Sequence, residues 1–223
     1  MQTRIIDDFL CAELTTGGFD AVVSLGAGFD TRPYRLSIPP NVRWIEVDSE
    51  EIFAHKNSVL DGYRPQCAVE RNAFDVTDDD ARRKLLDSLR GRNALMLTEG
   101  LLNYLTVSAV DALAADLGRT AAVRSWILDH TRPEVTAFAA QTWPFIERGV
   151  PLAARFAPDD VAAYFARSGW EITRSAEHGI ASASFGRFVP QAALHALAAL
   201  TPPEMAEAAR RRTGCIVMRK ALT

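Results

Sequence analysis

Short runs of apolar residues alternate along this chain with stretches in which apolar positions recur every three or four residues. The first spacing marks buried strands and the second amphipathic helices. Ala21 to Leu25, Val42 to Val47, Cys67 to Phe74, Ala94 to Thr98, Val123 to Leu128, Trp170 to Thr173 and Cys215 to Met218 read as seven strands. Between them the pattern predicts helices. Residues 1–17 place Ile5, Ile6, Phe9, Leu10 and Leu14 on one side, with Gly17 and Gly18 as a stop. On this helix Arg4 and Asp7 lie one turn apart, the spacing of a solvated pair.

Ser49 can cap a helix with Glu50 and Glu51 in its first turn and His55 and Lys56 later, an order that complements the helix dipole. Asp78 to Asp80 open a helix with Ala81, Leu85 and Leu89 on one face, closed by Gly91. Thr106 can cap another that turns Val107, Val110, Leu113 and Leu117 inward and ends at Gly118. Pro158 to Asp160 begin a helix running through Arg167, and residues 190–212 are mostly Ala-rich helix. Strands alternating with helices imply an α/β fold with a doubly wound, mostly parallel seven-stranded sheet. No Gly/Ser linker divides the chain, so residues 1–223 read as one domain.

The most informative stretch runs from Ala21 to Asp48. A buried strand leads directly into Gly26, Ala27 and Gly28, then Phe29 to Leu36 can open a helix, and a second strand ends in Asp48, 22 residues after Gly26. A Gly-x-Gly turn after a strand, followed by a carboxylate about 20 residues on, marks a nucleoside-binding half of a doubly wound sheet. The glycines permit a tight turn and a close approach to a ligand, and Asp48 can accept hydrogen bonds from both ribose hydroxyls. The bland alternative is a strand-to-helix turn that merely needs glycine. Thr31 stands where a third glycine would seat a pyrophosphate on the helix N-terminus. That departure favours a nucleoside without phosphates, of which S-adenosylmethionine is the commonest. The strand at Ala94 to Thr98 runs into Glu99 and Gly100, a site position in open α/β sheets or else a satisfied loop carboxylate.

Composition adds little and excludes some classes. The chain is 48% hydrophobic and 24% charged, ordinary for a globular enzyme, and its net charge of −3 gives no electrostatic reason to expect nucleic acid as partner. Cys11, Cys67 and Cys215 are odd in number and far apart, which suits free thiols in a reducing cytoplasm. The N-terminus carries Asp7, Asp8 and Glu13, unlike a signal peptide, and no run approaches the ~20 apolar residues that span a bilayer. A cytoplasmic protein with no membrane partner is expected. The histidines His55, His130, His178 and His195 form no ligand-spaced pair, so no metal is expected. Residues 131–157, with Phe138, Trp143, Phe145 and Phe156 among three prolines, could cover a substrate pocket or pack into the core.

Several of these stretches resemble a known family. Residues 23–36 (VSLGAGFDTRPYRL) are similar to the first motif of the leucine carboxyl methyltransferase family, which includes bacterial polyketide O-methyltransferases of the tetracenomycin type. The resemblance continues in residues 44–48 (WIEVD) with Lys56 behind them, in residues 98–105 (TEGLLNYL), in Arg4 to Asp7 and in Ser168 to Trp170. It implies a class I, Rossmann-like methyltransferase that uses S-adenosylmethionine. Arg4 would bind the cofactor's methionine carboxylate, and Gly26, Ala27 and Gly28 would line its methionine and ribose. Asp48 would hold the ribose hydroxyls, Asp75 with the backbone of Val76 would read the adenine, and Glu99 would sit by the amino group and sulfonium. Phe74 to Val76 depart from the family's usual Asp-Leu at the adenine site.

Family members usually carry a longer segment before the glycine loop, whereas 25 residues precede Gly26 here. The expectation is that residues 131–157 and a partner subunit close the site, or that turnover is slow; a homodimer is compatible with this. Asp129 and His130, at the end of the fifth strand, are the candidate base for a hydroxyl acceptor. The expected activity is O-methylation of a carboxylate or hydroxyl on a small, polyketide-like metabolite rather than of a protein phosphatase. An NAD(P)-dependent oxidoreductase and a non-catalytic cofactor-binding subunit are the alternatives.

Overall fold

Seven strands form one sheet in the order β3-β2-β1-β4-β5-β7-β6, and every neighbouring pair is parallel except those involving β7. The computed structural model describes residues 2–131, 133, 156–177 and 213–221. In chain order the elements are α1 (Gln2–Thr16), β1 (Ala21–Leu25), α2 (Arg32–Arg35), β2 (Arg43–Asp48), α3 (Glu50–Val59), β3 (Ala68–Ala73), α4 (Asp79–Ser88) and β4 (Ala94–Thr98). A 3-10 turn (Leu102–Tyr104), α5 (Val107–Arg119), β5 (Val123–His130), α6 (Val161–Ala166), β6 (Trp170–Glu177) and β7 (Gly214–Lys220) follow. No described helix is long and apolar enough to cross a membrane.

The central strands β1, β2, β4, β5 and β7 are buried on both faces, their alternating side chains meeting a layer on each side of the sheet. Val22, Leu95, Leu97, Ile127 and Val217 meet Ile5, Ile6, Phe9 and Leu10 of α1 on one face. Val23, Met96, Trp126 and Leu128 meet Leu85, Leu89, Val110, Leu113, Leu117 and Phe165 on the other. Trp126 lies at the centre of that layer, edge-on to both Phe165 and Trp170, and its ring nitrogen donates to Thr98 Oγ1. Three helices start at the expected caps: Ser49, Asp78 and Thr106 each accept a backbone amide with their side-chain oxygen.

The structure corrects several expectations. The segment after the glycine turn forms only a four-residue helix, Arg32–Arg35. Arg4 pairs with Asp8 at 3.0 Å rather than with Asp7, which is buried. Lys56 lies in the last turn of α3, as the charge order predicts, but it is buried rather than solvated and reaches Glu46 Oε1 at 2.9 Å. Val107, at the start of α5, is 45% exposed, since the first turn precedes the buried stripe. Asp129 and His130 end the fifth strand as expected, forming the last two rungs of β5 opposite Cys215 and Gly214. Phe156 is buried against Tyr164 and Phe165, one of the two fates foreseen for the aromatics of residues 131–157. The rest of that stretch, apart from Thr131, Pro133 and Ala157, lies outside the described residues, as do the Ala-rich segment 190–212, His178 and His195.

Candidate functional site

The chain leaves β1 in one direction and β4 in the other, so the carboxyl ends of these neighbouring strands form the crevice where open α/β sheets bind ligands. Gly26 follows β1 and Glu99 follows β4, so both residues lie at this switch point. Gly26 has φ +63°, and a Cβ there would stand 2.9 Å from Leu101 Cδ1. The backbone conformation favours glycine here, and any larger residue would also have to displace the Leu101 side chain. Gly28 also has a positive φ, and its amide donates to Asp48 Oδ2 at 2.7 Å. Asp48 Oδ1 accepts the amide of Ser49 at 2.8 Å. The glycine loop is thereby tied to the carboxyl end of β2.

Two cavities meet at Gly26. The larger, about 820 Å3, is lined by charged side chains of α1 and the glycine loop together with Glu99. The smaller, about 280 Å3, is bounded by Val47, Phe74, Val76, Leu101 and Leu105, with Asp48 and Asp75 at its polar edge. One apolar slot beside a polar cleft, joined at a glycine, matches a ligand with a flat ring at one end and charges at the other. Asp75 Oδ1 accepts both the amide and the hydroxyl of Thr77, at 2.8 and 2.7 Å, which shapes the turn carrying Val76.

The floor of the larger cleft is an ion cluster centred on Arg32. Its side chain is 2% exposed and reaches three carboxylates: Asp7 at 2.7 Å, Asp30 at 2.8 Å and Glu99 at 2.5 Å. Burial alone would lower the Arg32 pKa, but the charges of Asp30 and Glu99 outweigh it and raise it. Asp7 takes two further bonds from Arg35, at 2.6 and 2.9 Å. Burial works against its ionisation, yet the two guanidiniums hold its carboxyl below the usual range. Glu99 Oε1 accepts the hydroxyl of Thr3 at 2.8 Å. Thus α1, the glycine loop and the β4 turn are joined through one guanidinium.

The residues expected from the sequence fall out as follows. Arg4, Gly26, Ala27, Gly28 and Glu99 line the larger cavity, and Gly26, Asp48, Asp75 and Val76 the smaller. Asp129 and His130 line neither among the described residues. Asp129 is buried, and its Oδ1 accepts the amide of Gly100 at 2.7 Å beneath the Glu99 turn. Sequence reasoning assigned no site role to Arg32, Asp7, Asp30, Arg35 or Thr3. The signal was three charged residues, Asp30, Arg32 and Arg35, within the six positions 30–35 that follow the glycine loop, although no local pattern says which of them turn inward.

The sequence profile of the leucine carboxyl methyltransferase family matches residues 1–118, just over half of the chain. The chain belongs to the leucine carboxyl methyltransferase family. A Mycobacterium tuberculosis protein, provisionally named an S-adenosyl-L-methionine-dependent methyltransferase, is 32% identical over 197 residues, covering 78% of this chain and 55% of the relative. The chain thus spans about half the length of that curated relative. Among solved structures, the methyltransferase domain of a bacterial Hen1 matches with a TM-score of 0.60 at 12% identity, covering all of both chains. Magnesium protoporphyrin IX methyltransferase from Synechocystis, solved with bound S-adenosylhomocysteine, matches with a TM-score of 0.53 at 12% identity over 98% of this chain and 83% of its own. These neighbours establish the class I methyltransferase fold, with its doubly wound, mostly parallel seven-stranded sheet.

Proposed function

We propose that this chain binds S-adenosylmethionine across the two cavities and directs its methyl group to an oxygen of a small acceptor. The observation that carries this is the junction at Gly26, where a glycine-lined polar cleft meets an apolar slot edged by Asp48. Asp48 stands at the end of β2, where a carboxylate accepts from vicinal ribose hydroxyls, and Phe74, Val76, Leu101 and Leu105 suit a flat base. Arg4 and Glu99 both line the cleft, where Arg4 would take the methionine carboxylate and Glu99 the ammonium.

The bound cofactor would supply a methyl group activated by its sulfonium. The chain's own residues then need only align the acceptor and keep water out. A carboxylate acceptor needs no general base, whereas a phenol or alcohol benefits from one. Because neither His130 nor Asp129 reaches the cleft among the described residues, a carboxylate oxygen is the favoured acceptor. The carboxyl chemistry in the family's description agrees with this choice.

The test is calorimetric titration with S-adenosylhomocysteine. Micromolar binding by the wild-type chain is expected, weakened in Asp48→Ala by about 2 kcal/mol, or roughly thirtyfold, for lost hydrogen bonds to a charged group. No heat with S-adenosylhomocysteine, together with binding of NAD, would overturn the proposal in favour of an oxidoreductase.

A further inference from the structure

The ion cluster on the cleft floor is unevenly balanced. Two guanidiniums, Arg32 and Arg35, face three carboxylates, Asp7, Asp30 and Glu99. Arg4, on the wall above, has its own carboxylate partner in Asp8. Asp7 receives all of Arg35's contact and the Nε of Arg32. The remaining two nitrogens of Arg32 are divided between Asp30 and Glu99. Among these five side chains one negative charge is therefore left over, shared by Asp30 and Glu99.

Geometry decides which of them presents it. Asp30 is committed to its own loop, with one oxygen on the Arg32 amide and the other on Nη1, and its side chain is 8% exposed. The Glu99 side chain is 22% exposed and, among the described residues, rests on the Thr3 hydroxyl and Nη2 of Arg32. The uncompensated charge therefore faces the cleft at Glu99.

Resting on the S-adenosylmethionine reading above, we propose that this surplus charge makes the cleft discriminate between the cationic methyl donor and its neutral thioether product. Arg32 acts as the positioning residue that sets how much of the Glu99 charge remains. Donor and product differ by the sulfonium charge, which disappears when the methyl group leaves. A carboxylate already half-neutralised by a buried guanidinium attracts that cation while remaining ionised and fixed in place. The consequence is release of product: methyl transfer weakens the hold of the floor on what remains.

The experiment is calorimetry on the full 223-residue chain with two stable probes. Sinefungin carries a protonated amine where the donor has its methylsulfonium, and S-adenosylhomocysteine is the neutral product. Wild type is expected to prefer sinefungin by about tenfold. Glu99→Gln, which keeps the shape and an acceptor for Arg32, should bring the ratio close to one; because Glu99 also faces the ammonium that both probes carry, both affinities fall, that of sinefungin by about tenfold more. Asp30→Asn should also lower the ratio, because Arg32 then neutralises Glu99 more completely. A purely structural role for Asp30 would weaken both probes equally.

A ratio near one in wild type, or one unchanged in both variants, would overturn this inference while leaving cofactor binding intact. Absence of binding by either probe in wild type would instead remove the cofactor reading, and the inference with it. Thermal melting of both variants establishes that they are folded.

Discussion

Asp129 Oδ1 accepts the amide of Gly100 at 2.7 Å, so the end of β5 supports the turn that holds Glu99 in the cleft. The contact joins residues 29 positions apart and is partly buried, with Asp129 on its buried side. Burial pushes the Asp129 carboxyl up from 3.8 to about 6; the Gly100 amide works in the opposite direction, and the nearby Glu99 charge adds to the rise.

This shift has a definite consequence for stability. The folded chain binds the Asp129 proton more tightly than the unfolded chain does, so stability falls as pH rises from about 4 to about 6 and the penalty is complete above that. A shift of roughly two units corresponds to about 3 kcal/mol. Asp129→Asn keeps an acceptor for Gly100 and removes the charge. Its Tm should exceed that of wild type by about 6–10 °C at pH 8, and the gap should close near pH 4. An equal gap at both pH values would contradict the assignment.

Gly26→Ala tests the junction of the two cavities. The left-handed backbone costs a residue with a Cβ about 1–2 kcal/mol, and the new methyl meets Leu101 at 2.9 Å. Gly18→Ala is the control, because Gly18 has a similar φ of +61° with open space around it. Urea denaturation should show a loss of about 1–2 kcal/mol at Gly18 and a larger one at Gly26. Equal losses would mean that Leu101 moves aside freely.

Lys56→Met tests the buried pair beneath Asp48. Glu46 is fully buried between Lys56 at 2.9 Å and Arg71 at 2.8 Å, and Arg71 also holds Asn57 and Tyr34. Removing one partner of a buried ion pair costs about 3–5 kcal/mol. The surviving bond to Arg71 places the expected loss at the lower end. The double variant Glu46→Leu with Lys56→Met should recover part of it, because no carboxylate is then left buried without its ammonium. If the double variant is as unstable as the sum of two single losses, the pair is not coupled as described.

What the sequence determined by itself is what depends on neighbours along the chain. Five-residue apolar runs mark β1 and β4 to the residue, and Ser49, Asp78 and Thr106 cap their helices because a cap needs only an amide two or three residues ahead. The spacing from Gly26 to Asp48 places both at the same end of the sheet, because the residues between them form a single parallel crossover. Tertiary structure alone decided the fate of the charges. Arg32 and Lys56 look like solvated residues in the sequence, and their burial became visible only with the carboxylates that receive them. Lys56 meets Glu46, ten positions back, whereas Arg32 meets Asp7 and Glu99, 25 and 67 positions away. The same holds for Asp129, whose place inside β5 depends on pairing with Cys215 of β7. A charged side chain enters a core only where its counter-charge is waiting, and no local pattern records where that counter-charge will be.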